Sequence, residues 1–252
     1  MNQLLTTLFA LGVACATTLA LAQAPAPAAS GAVPAAAATP APAAAPVAVA
    51  KPVQAPAGAK SLEAKVAMCI GCHGIKGYQA TFPEVYKVPM ISGQNAKYIA
   101  AALNAYRAGD RKHPTMRGIA ASLTDQDIND LSAYYERHGK DDGGPAVGEK
   151  PNHEPNAQVA ALMQKAACAS CHGANLSRPI DPSYPKISGQ HADYMFVALK
   201  AYKTENNPAV GRSNGIMGAI AKQFSNAELK ALSGYVSSLD GELKVKPEAK
   251  FR

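Results

Sequence analysis

Two stretches, Cys69-Ile70-Gly71-Cys72-His73 and Cys168-Ala169-Ser170-Cys171-His172, decide how this chain is read. Each has the form Cys-x-x-Cys-His, a pattern suited to c-type haem attachment. Cysteines three apart lie on neighbouring edges of one helical turn, so both can reach the same edge of a porphyrin. The histidine that follows then meets the iron as an axial ligand. Two haem c groups are therefore expected, held covalently by Cys69 and Cys72 and by Cys168 and Cys171, with His73 and His172 on the irons. Two competing readings exist. Four cysteines could close one zinc site, and each pair could be a thiol–disulfide couple. Neither accounts for a histidine after each second cysteine. Cys15, the fifth cysteine, lies in the leader, so none remains for a structural disulfide.

The two motifs sit in one repeated frame. Cys69, Cys72 and His73 match Cys168, Cys171 and His172 at an offset of 99. Pro89-Met90-Ile91-Ser92-Gly93-Gln94 matches Pro185-Lys186-Ile187-Ser188-Gly189-Gln190 at 96, as Tyr98, Leu103 and Tyr106 match Tyr194, Leu199 and Tyr202. Met116, Thr124, Leu131 and Tyr134 match Met217, Ser225, Leu232 and Tyr235 at 101. Two copies of about a hundred residues indicate a duplicated domain, not a solenoid. Of the seven methionines, only Met116 and Met217 are methionine in both copies. Each stands eight residues before a helix start, in what reads as a loop, and each is the expected sixth ligand of its iron. His113 and His191 compete for that position, but neither has a histidine counterpart and both read as surface or capping residues. A ligating histidine normally donates its other ring N–H to an acceptor. The carbonyls of Pro89 and Pro185 are the candidates, and the glycine after each is expected to let the backbone approach the haem.

Each copy reads as three helices. In the first copy, Ser61 caps a helix into Cys69 and Cys72. Asn95 caps a second, stopped by Gly109, and Thr124 opens a third with Asp127 as partner in a near capping box. In the second copy, one helix from Asn156 runs through Cys168–His172. A second spans about 191–204, and a third starts at Ser225 with Glu228. No segment reads as a strand, so the expected class is all-α.

Residues 1–22 read as a secretory signal peptide, or as an anchor if the apolar run is kept. Residues 23–59 are an Ala/Pro-rich linker in which those two residue types fill 26 of 37 positions. Eight prolines there forbid a continuous helix, leaving an extended tether or a segment without a role. The remaining boundaries are a first domain at 60–142, an interdomain linker at 143–155 and a second domain at 156–252. The formal charge of +7 is modest and does not point to nucleic acid. A basic face meeting an acidic redox protein is the better use of it.

With these residues in hand, the chain resembles the dihaem cytochromes c of the c4 family over about residues 61–240. Both Cys-x-x-Cys-His sites, both Pro-x-Ile-Ser-Gly-Gln segments, the tyrosine-bearing second helices, and Met116 and Met217 carry the resemblance. So does Gly109-Asp110-Arg111, which the second copy replaces with a longer loop from Thr204 to Pro208. The resemblance implies two tandem class I cytochrome c domains, each wrapped around one covalent haem. It also implies a periplasmic electron carrier, not an enzyme. Its donor would be a quinol-oxidising complex or dehydrogenase, and its acceptor a terminal oxidase or reductase. Two further readings remain. A dihaem enzyme would need an open sixth position, which methionine at both sites disfavours. A tethered subunit of a larger oxidoreductase would use the N-terminal segment as its membrane tether.

Overall fold

A computed structural model describes residues 61–138, 140 and 147–248. The signal or anchor and the Ala/Pro linker expected at 1–59 lie outside the described residues. The first copy forms helices α1 (Leu62–His73), α2 (Ala96–Ala108), α3 (Pro114–Ala121) and α4 (Asp125–His138). The second forms α5 (Ala157–Ala166), α6 (Ala169–His172), α7 (Ala192–Lys203), α8 (Gly215–Ala221) and α9 (Asn226–Ser238). The all-α class holds, with short strands the sequence did not announce. β1 (Gln79–Ala80) pairs with β2 (Tyr86–Lys87), and β3 (Arg111–Lys112) pairs with β4 (Gly211–Arg212), both antiparallel. Two residues are too few to show an alternating pattern. β3 and β4 also come from different copies, so their pairing joins the two domains.

Capping residues set most of the helix ends. Ser61 Oγ accepts from Ala64 N at 3.2 Å and starts α1. Gly109 stops α2 in the left-handed conformation, φ 90°. The last helix of each copy opens on a capping box. In α9, Ser225 Oγ accepts from Glu228 N while Glu228 Oε2 accepts from Ser225 N. In α4, Thr124 and Asp127 exchange the same pair of bonds, at 3.2 and 2.9 Å. Asn95 takes the start of α2 but makes no side-chain cap. Its Nδ2 instead donates to Tyr184 O in the other domain, at 3.2 Å.

The helix expected from Asn156 to His172 is broken. α5 ends at Ala167, which is left-handed at φ 48°, and α6 restarts after it. At the break, the N–H and hydroxyl of Ser170 both donate to Ala167 O, at 3.0 and 2.7 Å. The matching position in the first copy is Gly71, which has no hydroxyl to capture that carbonyl, and α1 runs through unbroken.

Each copy closes its own apolar core. Val66 and Ile70 of α1 pack with Ile99 of α2 and with Ile128, Leu131 and Tyr135 of α4. Val159 and Leu162 of α5 pack with Phe224 and with Leu229 and Leu232 of α9. After α9 the chain leaves the second domain. Lys244 N donates to Ser92 O at 3.1 Å, and Glu248 lies 2.9 Å from Nε2 of the buried His138, whose Nδ1 meets Ser92 Oγ. Residues 244–248, sequentially part of the second copy, are thus packed on the first.

Asp127 carries a second load besides its cap, because Lys65 of α1 ion-pairs with its other oxygen. Burial alone would raise this carboxyl, but the bonds from Lys65 and Thr124 outweigh it and hold the pKa below the usual range. A depressed carboxylate stabilises the fold above its unfolded pKa, and that contribution disappears as pH falls through the folded one. Asp127→Asn should cost on the order of 3 kcal/mol at pH 7. The gap to wild type should narrow as pH falls through the folded-state pKa of Asp127, as measured by urea denaturation at pH 7 and through an acid series.

Candidate haem-binding sites

The C-terminal part of α1 presents Cys69, Cys72 and His73 to an interior cavity, and α6 with its N-cap Cys168 presents Cys168, Cys171 and His172 to the same one. The cavity is about 1120 Å³ and continuous between the two copies. His73 Nδ1 lies 2.7 Å from Pro89 O, and His172 Nδ1 lies 2.8 Å from Pro185 O. A carbonyl only accepts, so Nδ1 carries the proton in both rings and Nε2 keeps its lone pair for a metal. Burial lowers the pKa of both histidines, against the opposing pull of those carbonyls, so the rings are neutral. Backbone bonds hold the acceptors in place. Val88 N donates to Tyr78 O just before Pro89, and Ile187 N and Ser188 N both donate to Leu176 O just after Pro185.

The glycines of the repeated segment do something other than expected. Gly93 and Gly189 are left-handed, φ 85° and 74°, but neither lines the cavity. Their N–H groups donate to Tyr135 O of α4 and Val236 O of α9. At Gly189 a Cβ would stand 3.1 Å from Leu239 O. The close approach they permit is to the final helix of each domain, not to the haem.

Met116 and Met217 both line the cavity. They sit in the first turns of α3 and α8, not in loops. His113 Nδ1 accepts from Met116 N at 3.3 Å, and Asn214 Oδ1 accepts from Met217 N at 2.9 Å. Pro114 at the first helical position suits a helix start, a signal present in the sequence. With Nδ1 accepting, His113 Nε2 carries the proton and donates to Tyr86 OH at 3.0 Å. Both nitrogens of His113 are therefore engaged. His191 lies outside the cavity wall.

The cysteines are half-buried thiols. Burial pushes Cys69 up to about 11 and also raises Cys168, the opposite of a reactive thiolate pair. Among the described residues, no three His, Cys, Asp or Glu side chains gather around a common point, so the four cysteines do not close one zinc site.

A pair of arginines completes the wall. Arg111 and Arg212 face each other across the β3–β4 pairing and line the cavity. Arg111 donates to Tyr98 OH at 2.7 Å and lies over the Tyr98 and Tyr106 rings. Arg212 donates to Tyr194 OH at 3.0 Å and lies over Tyr194 and Tyr202. Burial alone would raise the Tyr202 phenol, but Arg212 and Arg111 together hold it below its usual value. Among the described residues, neither guanidinium has a carboxylate partner. Two such cations beside an apolar cleft fit a group that brings its own carboxylates. The sequence contained this pair: Arg212 follows Arg111 at the offset of 101 that relates the methionines. The insertion after Thr204 concealed it.

Residues 55–137 and 157–240 each match the family model of cytochrome c. Cytochrome c4 of Stutzerimonas stutzeri is 30% identical over 197 residues, which span 73% of this chain and 90% of that one. The chain belongs to the cytochrome c4 family. Another relative, the thiosulfate dehydrogenase electron acceptor of Stutzerimonas stutzeri strain A1501, is 28% identical over 68% of this chain and 78% of its own length. The crystal structure of reduced recombinant cytochrome c4 from Pseudomonas stutzeri matches with a TM-score of 0.51 at 27% identity, covering 72% of this chain and 100% of that one. As a cytochrome c4 relative, the chain carries two covalently bound haem c groups, and its role is electron transfer.

Each arginine places a positive charge in the wall of the shared cleft, which favours the reduced iron. Arg111→Leu or Arg212→Leu should lower the reduction potentials by on the order of 1 kcal/mol per electron. Optical potentiometric titration of the holoprotein checks this, and unchanged potentials would show that the charge does not reach the irons.

Proposed function

We propose that this chain is a one-electron carrier with two His/Met haem sites. His73 and Met116 are the axial ligands in the first domain, and His172 and Met217 in the second. Cys69 and Cys72, and Cys168 and Cys171, are the thioether positions. The observation that carries the reading is the matched pair of histidines, each with Nδ1 committed to a proline carbonyl, lining one cavity together with Met116 and Met217. Each bound haem supplies an iron that alternates between ferric and ferrous. The chain's own residues do the rest. Pro89 and Pro185 fix ring orientation and tautomer and raise the basicity of Nε2. α3 and α8 hold the methionine backbone through the His113 and Asn214 caps. Arg111 and Arg212 take the carboxylate ends of the bound groups, and the apolar wall keeps water out.

A thioether at both sixth positions leaves no place for a substrate, so the chain carries electrons and does not turn over a substrate. Relatives include thiosulfate dehydrogenase electron acceptors. That supports a redox-protein donor here, a dehydrogenase or quinol-oxidising complex, with a terminal oxidase or reductase as acceptor. Haem attachment through Cys-x-x-Cys-His supports export to the periplasm, with residues 60–142 and 156–252 as the two working domains. Among the described residues, no helix is long and apolar enough to cross a membrane.

Met116→Ala and Met217→Ala should each remove about half of the methionine–iron charge-transfer band and lower one potential. The reduced wild-type protein should bind no carbon monoxide. An unchanged band in either variant would refute that ligand, and rapid carbon monoxide binding at one iron would refute the carrier reading.

A further inference from the structure

The repeated Ser-Gly-Gln segments each end in a glutamine whose side chain crosses to the other domain. Gln94 reaches across to the second domain, where its Oε1 accepts from Lys186 N and its Nε2 donates to Lys186 O, both at 2.9 Å. Gln190 does the mirror image in the first domain, where Oε1 accepts from Met90 N at 3.0 Å and Nε2 donates to Met90 O at 2.9 Å. Both glutamines are buried, 4% and 5% exposed. Each Oε1 is also anchored at home, accepting from Asn95 N or His191 N at 3.0 Å.

The partners are not arbitrary backbone. Lys186 follows Pro185 and Met90 follows Pro89. The N–H that meets each glutamine therefore belongs to the same peptide group as the carbonyl that accepts the histidine proton. Peptide resonance links the two ends of that group. Donation at the N–H end increases the negative charge on the oxygen, and chains of hydrogen bonds strengthen one another in this way. The relay reads His172 Nδ1–H to Pro185 O, through one peptide plane, and Lys186 N–H to Gln94 Oε1. The other reads His73 Nδ1–H to Pro89 O, and Met90 N–H to Gln190 Oε1.

We propose that Gln94 and Gln190 are crossed positioning residues, each strengthening the proline-carbonyl acceptor of the other domain's proximal histidine. The proposal rests on the reading of His73 and His172 as iron ligands. A stronger acceptor gives the ring more imidazolate character and makes it a better donor to iron, which favours the ferric state. Each domain thereby sets part of its neighbour's potential without touching the neighbour's ligands. A clamp needed only to hold two domains together could use any exposed peptide. This one takes, with each Oε1, the N–H of the peptide group whose carbonyl meets the proximal histidine, while each Nε2 takes the carbonyl of the next peptide.

The test uses the full-length reduced holoprotein with ¹⁵N-labelled histidine, together with an optical redox titration. In the wild type, the ring protons of His73 and His172 should show the large ring-current shift of an axial ligand. Its absence would overturn the ligation and the relay together. Gln94→Leu should then move the His172 Nδ1–H resonance upfield and raise the second-domain potential, leaving His73 in place. Gln190→Leu should do the same to His73 and the first domain. Gln94→Glu and Gln190→Glu keep an acceptor, and a stronger one, so each should move the crossed resonance downfield. If the leucine variants do not fold, the glutamate pair reads the same crossing. Changes in the variant's own domain, equal changes in both domains, or no change at either histidine would each overturn the proposal with the ligation intact.

Discussion

The hydrogen bond from a histidine Nδ1 to a proline carbonyl is the contact around which each domain is arranged. It fixes which nitrogen carries the proton, and so which one keeps a free lone pair. For that bond to form, a helix must end with its histidine facing the cleft while a loop brings the proline back opposite it. The loop is then anchored from behind. Its glycine N–H bonds to the last helix, at Tyr135 O in one domain and Val236 O in the other, which the left-handed backbone at Gly93 and Gly189 makes possible. Helix one, the proline loop and the final helix are thus a single mechanical unit. A shift of the final helix moves the carbonyl that holds the histidine ring.

Much of this was legible in the chain because the repeat acts as an internal control. A cysteine, histidine, proline or methionine that recurs in frame stands apart from one that does not, and the capping boxes at Thr124 and Ser225 mark the final helices by local chemistry alone. What stayed hidden has physical reasons. The short helices carrying Met116 and Met217 are held by caps from His113 and Asn214, and eight residues or fewer give too little apolar periodicity to see. Strands β3 and β4 exist only because two domains meet. Asn95 looks like a helix cap, but its side chain is drawn off by Tyr184 of the neighbouring domain, a partner 89 residues away.

The two copies are related but not equivalent. The attachment helix of the second domain is broken at left-handed Ala167, where the Ser170 hydroxyl bonds, while the first runs through Gly71 intact. The break falls between the core residues of α5 and the cysteines, so Cys168 is reached through a left-handed Ala167 instead of a continuous helical turn. The first attachment segment is stiffened by a helix packed along its length, whereas the second is stiffened by a local turn. The same covalent chemistry is therefore set in two different mechanical surroundings.

The segment that crosses back from α9 gives the order of synthesis a meaning. Glu248 joins His138 across 110 residues, and Lys244 joins Ser92. A ribosome finishes both attachment motifs and every helix of the first domain long before it reaches residues 244–248. Until then the end of α4 and the Ser92 loop, which abuts the proline that orients His73, have no cover. The first domain to be made is the last to be closed. A chain cut between its two halves would give a leading fragment that lacks its cover and a trailing fragment whose final segment has lost its partners.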